Sequence, residues 1–167
     1  MKYLTLINLL FMIWGMTGCR SDTLIGLNQD IRHDDFKYRV SSYEKRKSIN
    51  SGNSGIMAKG TFLIVNFLVE NDAMRVNHEW DNSIAYITGG GGKICENNVD
   101  AQRLLNEVEP FHWQGQYTTP HGNTESTRLV FDIPDDLHDP CLKMRGSMLM
   151  GDVFNLNRFK RMRIKLY

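Results

Sequence analysis

The sequence predicts an all-β fold, a sandwich of two sheets. Three observations predict it. Apolar and polar residues alternate with a period of two over several short stretches. Clusters of Gly, Asn, Asp, Ser and Pro separate those stretches. Only one stretch, 99–108, reads as a helix. About six to eight strands with so little helix point to two packed sheets. The composition agrees: 167 residues, 41% hydrophobic and 23% charged, describe an ordinary globular protein. They exclude a disordered, collagen-like or coiled-coil chain, and the length suits one domain. With 20 Lys and Arg against 19 Asp and Glu, the net charge is +1. That balance argues against nucleic acid as a partner, which calls for a clear basic excess.

Residues 1–18 read as an address. Lys2 supplies a short positive region and Leu4 to Trp14 an apolar run. The run is too short to cross about 30 Å of hydrocarbon and fits a secretory leader better. Met16-Thr17-Gly18-Cys19 follows and resembles the bacterial lipobox, in which the cysteine thiol is acylated and becomes the mature N-terminus. Met16 stands where Leu is commoner. The expectation is a lipid anchor at Cys19, holding the protein to a membrane of the cell envelope. Arg20 follows, not Asp, so in a Gram-negative host the resemblance implies the outer membrane with the domain facing the periplasm. Several acyl chains, at about 0.8 kcal/mol per methylene, anchor stably where one does not. Loss of residues 1–18 removes only Lys2, leaving 19 basic and 19 acidic residues and no general field for polyanions.

Residues 19–34 are expected to be the lipidated cysteine and a flexible polar tether, with the sandwich over 35–167. Phe36, Tyr38 and Val40 alternate with polar neighbours as the first strand. Residues 44–60, charged and then rich in Ser, Gly and Asn, read as a long connection. Thr61–Glu70 is the clearest strand: Leu63, Val65, Phe67 and Val69 line one face, and Phe62, Ile64 and Leu68 the other around Asn66. Apolar residues on both faces predict a central strand, one side in the core and the other partly covered. Ser83–Thr88 is a weaker strand, followed by Gly89–Gly92. A phosphate loop needs a following helix with Lys and Ser or Thr, which is missing, so a hairpin turn is expected. Residues 110–125 read as a polar loop. Leu129, Phe131 and Ile133 form one face of a strand that Pro134 stops. Leu142, Met144, Gly146, Met148 and Met150 alternate in the next. Met162, Ile164 and Leu166 alternate with Arg161, Arg163 and Lys165 in the last, giving one dry and one cationic face.

The order of these features resembles a family of small bacterial lipoproteins and secreted proteins of unknown function. The segments that carry the resemblance are 36–45, 58–71, 84–93 and 126–134. Gly60, the strand Phe62 to Val69 and Asn71 match the family pattern, as does Asp132-Ile133-Pro134. The resemblance spans roughly residues 35–166. It departs at the four-glycine turn, at 97–125 and at Cys95 and Cys141. It implies an immunoglobulin-like sandwich, similar in fold to a mycobacterial immunoprotective secreted antigen. It implies an extracytoplasmic binding or scaffold module, without catalytic residues to carry over.

Cys95 and Cys141 would meet an oxidising compartment and are a possible disulfide, contributing about 4 kcal/mol in the chain-entropy model. The alternative is two separate buried thiols. Among His33, His78, His112, His121 and His138 no spacing matches a tight metal motif. His78-Glu79-Trp80-Asp81 gathers possible ligands, but strand neighbours point to opposite faces, and exposed loop polarity explains them as well. No G-x-S-x-G elbow occurs. The expectation is therefore a module that is not an enzyme and uses no cofactor or metal. It would bind an envelope protein or cell-wall component through Arg161, Arg163, Lys165, Trp113 and Tyr117. The rival is a metal-binding sensor or hydrolase built on His78, Asp81, His112 and His121.

Overall fold

The computed structural model describes residues 22–52, 54–110, 115–145 and 161–166. Among these, the strands in chain order are β1 (Thr23–Ile25), β2 (Ile31–His33), β3 (Phe36–Ser51), β4 (Ser54–Asn71), β5 (His78–Asp81), β6 (Ala85–Thr88), β7 (Ile94–Cys95), β8 (Gln116–Thr119), β9 (Thr124–Ile133), β10 (Cys141–Met144) and β11 (Met162–Lys165). One helix, α1 (Val99–Val108), lies between β7 and β8. The strands form a five-stranded sheet in the order β1-β11-β10-β6-β7, a four-stranded sheet β2-β3-β4-β9 and a ribbon β5-β8. All described pairings are antiparallel except β1 with β11. The protein is an all-β sandwich.

The period-two pattern of β4 explains the layers. Leu63, Val65, Phe67 and Val69 point into the main core, where they meet Trp80, Ile87, Leu142 and Ile164 from the opposing strands. Phe62 and Ile64 point the other way, into a second cluster with Ala101, Leu104 and Leu105 of α1 and Val130 of β9. Both faces of the central strand are thus dry, the second more fully covered than the sequence predicts. Helix α1 occupies the expected residues. The Asn98 side chain caps it, accepting from the Ala101 amide at 3.0 Å. Its last turn is held by Glu109, whose carboxylate accepts from Arg46 at 2.6 Å and Arg128 at 2.7 Å.

Three expectations fail. Residues 20–34 are not all tether: Thr23–Ile25 pair with β11, and Ile31 and His33 are buried. Each strand has three residues, too few for a period-two pattern to show. The stretch 44–60 is no simple connection either. It continues the β3–β4 hairpin past the end of β9, pairing Ser48 with Met57 and Ser51 with Ser54. Its charged residues lie on a strand that, among the described residues, has no strand neighbour on that side beyond β2, and charge is a common protection of a sheet edge. Ile49, Ile56 and Ala58 turn toward α1. Finally, 110–125 contains β8 and the start of β9, not loop alone. The strand expected over Leu142 to Met150 is seen as Cys141–Met144, and 146–150 lie outside the described residues. The glycine run forms the expected tight turn between β6 and β7, with Gly91 at φ +78°.

The Gly60 and Asp132-Ile133-Pro134 signals have one physical cause. The Asp132 carboxylate accepts from the amides of Lys59 at 3.0 Å and Gly60 at 3.3 Å. The β9 backbone then passes so close that a Cβ on Gly60 would lie 2.3 Å from the Ile133 carbonyl oxygen.

Candidate functional site

Where β4 gives way to β5, the chain builds a cleft of about 560 Å³. Asp34 and Asp35, the turn between β2 and β3, form one wall. Ala73, Val76 and Asn77 form another, and Phe36, His78 and Glu79 complete it. Asn71 shapes this end. It is fully buried, and its side-chain nitrogen donates to the carbonyls of Val76 at 2.7 Å and Thr119 at 2.9 Å. Its side-chain oxygen accepts from the Ala73 amide at 2.9 Å. One asparagine thus satisfies backbone groups that a turn would otherwise leave unpaired. The Asp72 amide donates to the Asp35 carbonyl at 2.8 Å and ties the two walls together. Lys37 bridges Glu70 and Asp72, each at 2.6 Å. This pairing raises the Lys37 pKa and lowers that of Asp72.

His78 is the buried polar group of the cleft, 5% exposed. Its Nε2 lies 2.9 Å from the Tyr38 hydroxyl. The Phe36 ring stacks on it at 4.3 Å and 27°. Burial, with His33 nearby, pushes the His78 pKa down to about 4, so the ring is neutral at physiological pH. Burial and the Asp34 charge hold the Tyr38 phenol protonated well beyond its ordinary range. The imidazole is therefore fixed in place and uncharged beside three carboxylates, Asp34, Asp35 and Glu79. Among the described residues no lysine or arginine lines the cleft. At its rim Val76 is 58% exposed, and Met74, two residues earlier, is 85% exposed.

The sequence-derived residues are placed as follows. Cys19, His112 and Trp113 lie outside the described residues. Tyr117 is not a surface residue, which corrects the expectation of a partner contact. It is 6% exposed, stacks on Trp80 at 4.2 Å and 15°, and its hydroxyl lies 2.7 Å from Thr127 Oγ1. Buried aromatic stacking outweighed the loop reading of 110–125. Arg161, Arg163 and Lys165 do share the outer face of β11, opposite Ile164 and Leu166 in the core. Arg163 pairs with Asp22, which Lys143 also meets at 3.2 Å.

Cys95 and Cys141 are separate buried thiols, the second of the two alternatives that the sequence left open, and not the possible disulfide. Their strands flank β6 on opposite sides. Cys95 stands opposite Ile87 and Cys141 opposite Thr88. Adjacent residues of a strand face opposite ways, so the two sulfurs leave the sheet on opposite faces. Burial pushes both thiol pKa values up.

His78 lies in a strand and is buried, contrary to its reading as exposed loop polarity. Asp81, three residues along β5, faces the other way and caps the next turn through the Ser83 amide at 2.7 Å. His121 is exposed in the turn before β9. The structure does not gather these three, and among the described residues no group of three or more His, Cys, Asp or Glu is placed to hold a metal. Sequence reasoning missed the Tyr38–His78 pair and the roles of Phe36 and Asn71 in the cleft. The Phe36-Tyr38-Val40 alternation marked two of these, but nothing local joins residues 40 positions apart.

No family model and no curated protein matches the chain. Solved structures do. It is similar to the yjhA protein of Bacillus subtilis, with TM-score 0.57 and 12% identity over 85% of this chain and 98% of that one. An uncharacterized beta-sandwich protein of Clostridium difficile aligns at TM-score 0.52 and 12% identity, over 90% of this chain and 98% of that one. The secreted Mycobacterium tuberculosis protein MPT63 aligns at TM-score 0.51 and 12% identity, over 75% of this chain and 91% of that one. At such identity the likeness is one of fold: all are sandwiches of this architecture.

Proposed function

We propose that the chain is a non-enzymatic module of the cell envelope, held to a membrane by acylated Cys19, that binds a protein or cell-wall partner. The observation that carries the binding role is the cleft beside His78. It joins an apolar floor and rim, Phe36, Ala73 and Val76, to three carboxylates. Such a site suits a partner segment that presents a basic group beside an apolar one. Among the described residues its lining contains no serine, threonine or cysteine that could act as a nucleophile. His78 is tied through Nε2 to a phenol and covered by Phe36, an arrangement that shapes a surface. The anchor rests on the Met16–Cys19 motif and the apolar run before it. An extracytoplasmic location agrees with that motif.

Two measurements test this. Mass spectrometry of the native chain is expected to find a diacylglycerol on Cys19 and the first 18 residues gone. A photo-crosslinking residue in place of Val76 is expected to give one dominant adduct in intact cells or on isolated peptidoglycan. The same residue in place of Met57, which is 73% exposed and far along the hairpin arm, is expected to give none. Equal adducts from both positions would remove the cleft from the argument.

A further inference from the structure

The loop that walls the cleft also projects beside it. Asn71 grips this loop at two points, accepting from the Ala73 amide at 2.9 Å and donating to the Val76 carbonyl at 2.7 Å. Met74 and Arg75 lie between those points. Met74 is 85% exposed and Val76 58% exposed, with Arg75 exposed between them. Two large apolar side chains therefore flank a cation on a loop pinned at both ends. Scattered exposed apolar residues are ordinary, but two within three residues at the mouth of a cleft make a small contact patch.

The charges at this end are only partly matched within one chain. Lys37 is occupied by Glu70 and Asp72, and Asp34 faces His33. Arg75 has no ion-pair partner among the described residues, and neither have Asp35 and Glu79, the other two carboxylates of the cleft. Arg32 adds a second cation to this end, its charge felt by Asp72. A projection that carries a guanidinium between apolar side chains thus stands next to a hollow that offers Phe36, Ala73 and two unpaired carboxylates. This is the chemistry the cleft suits, supplied by the same chain. A projection and a complementary hollow side by side on one surface are what a two-fold axis requires, since each copy then fills the hollow of the other.

We propose that the cleft receives loop 74–76 of a second copy of this chain, in a two-fold dimer where Arg75 of each copy meets Asp35 and Glu79 of the other. This rests on the cleft reading and names its partner. The patch is small, so the dimer is weak and reversible.

The test uses the full chain in intact cells, with a photo-crosslinking residue in place of Val76. The expected adduct has twice the mass of the chain and yields peptides of this chain alone. It joins residue 76 of one copy to 34–36 or 73–79 of the other. Arg75→Glu is expected to cut the yield about tenfold, because it sets like charges together across the axis. Adding Glu79→Arg to the same chain restores opposite charges and is expected to recover about half of the yield. Both side chains are exposed, so neither change disturbs the core. A doubled mass that survives Arg75→Glu, or a double variant as poor as the single one, overturns the dimer. An adduct with another protein or with peptidoglycan alone overturns it too, while leaving the cleft reading intact. No adduct, or one no greater than that from position 57, overturns both.

Discussion

Replacing Gly60 by alanine tests the contact that joins the hairpin to the end of β9. A Cβ at this position would lie 2.3 Å from the Ile133 oxygen, 2.8 Å from Pro134 Cα and 2.9 Å from the Asp135 nitrogen. All three are backbone atoms, so no side chain can swing aside. The proline fixes its own φ, which limits how the segment can yield. Relief requires one strand to retreat by about 1 Å, which also stretches the amide bonds to Asp132. The expected cost is about 3 kcal/mol, the upper part of the range for overpacking. For a domain of this size that corresponds to a fall in Tm of roughly 10 °C. Urea unfolding of the purified chain, followed by tryptophan fluorescence, measures it. Gly26→Ala is the control, because the nearest atom to its Cβ is a glutamine side-chain oxygen at 3.6 Å. A loss below about 0.5 kcal/mol for Gly60→Ala, or equal losses for both variants, would refute the close-approach argument.

Other expectations follow from the ion pairs and buried groups. The Arg46 and Arg128 guanidiniums lower the Glu109 pKa to about 2. A carboxylate depressed on folding stabilises above its unfolded pKa and loses that contribution as pH falls toward 2. Glu109→Gln is therefore expected to cost about 1 kcal/mol at neutral pH, discounted for solvent screening, and almost nothing at pH 2 in urea melts. For His78 the sign is worked the same way: the folded state resists the proton, so its contribution is complete above pH 6.5 and disappears toward about 4. An NMR titration of its ring protons should place the midpoint near 4, and a midpoint above 6 would contradict its burial. Thiol titration of the acylated chain should count two free sulfhydryls in denaturant and react slowly in buffer. A count of zero would mean a disulfide after all.

Legibility from the sequence followed the length of each pattern. β4 and β9 carry enough consecutive alternation to be read directly, and both faces of β4 were assigned correctly from Phe62 to Val69. Helix α1 was readable as the stretch 99–108, which ends just before Pro110; its Asn98 cap was seen only in the structure. The short strands β6, β10 and β11 were read within longer alternating stretches, but β1, β2, β5 and β8 were not. These four hold too few residues to distinguish alternation from chance, and β5 also carries His78 and Asp81, which look like surface polarity. The hairpin arm was hidden for another reason: its inward residues face a helix and its edge is charged, so Glu44 to Lys47 resemble loop. The cleft was the least legible part. It arises where residues 34–36 meet residues 73–79, and that meeting depends on tertiary bonds such as Tyr38 to His78.

The central strand β4 is a shared wall between two dry compartments, with the sandwich interior on one side and the helix on the other. Neither compartment can be wetted without exposing side chains rooted in the same stretch of backbone. Damage on one side therefore reaches the other, and the helix cannot melt away as an independent flap without stripping cover from Phe62 and Ile64. A protein built this way should lose both compartments together, in one cooperative step.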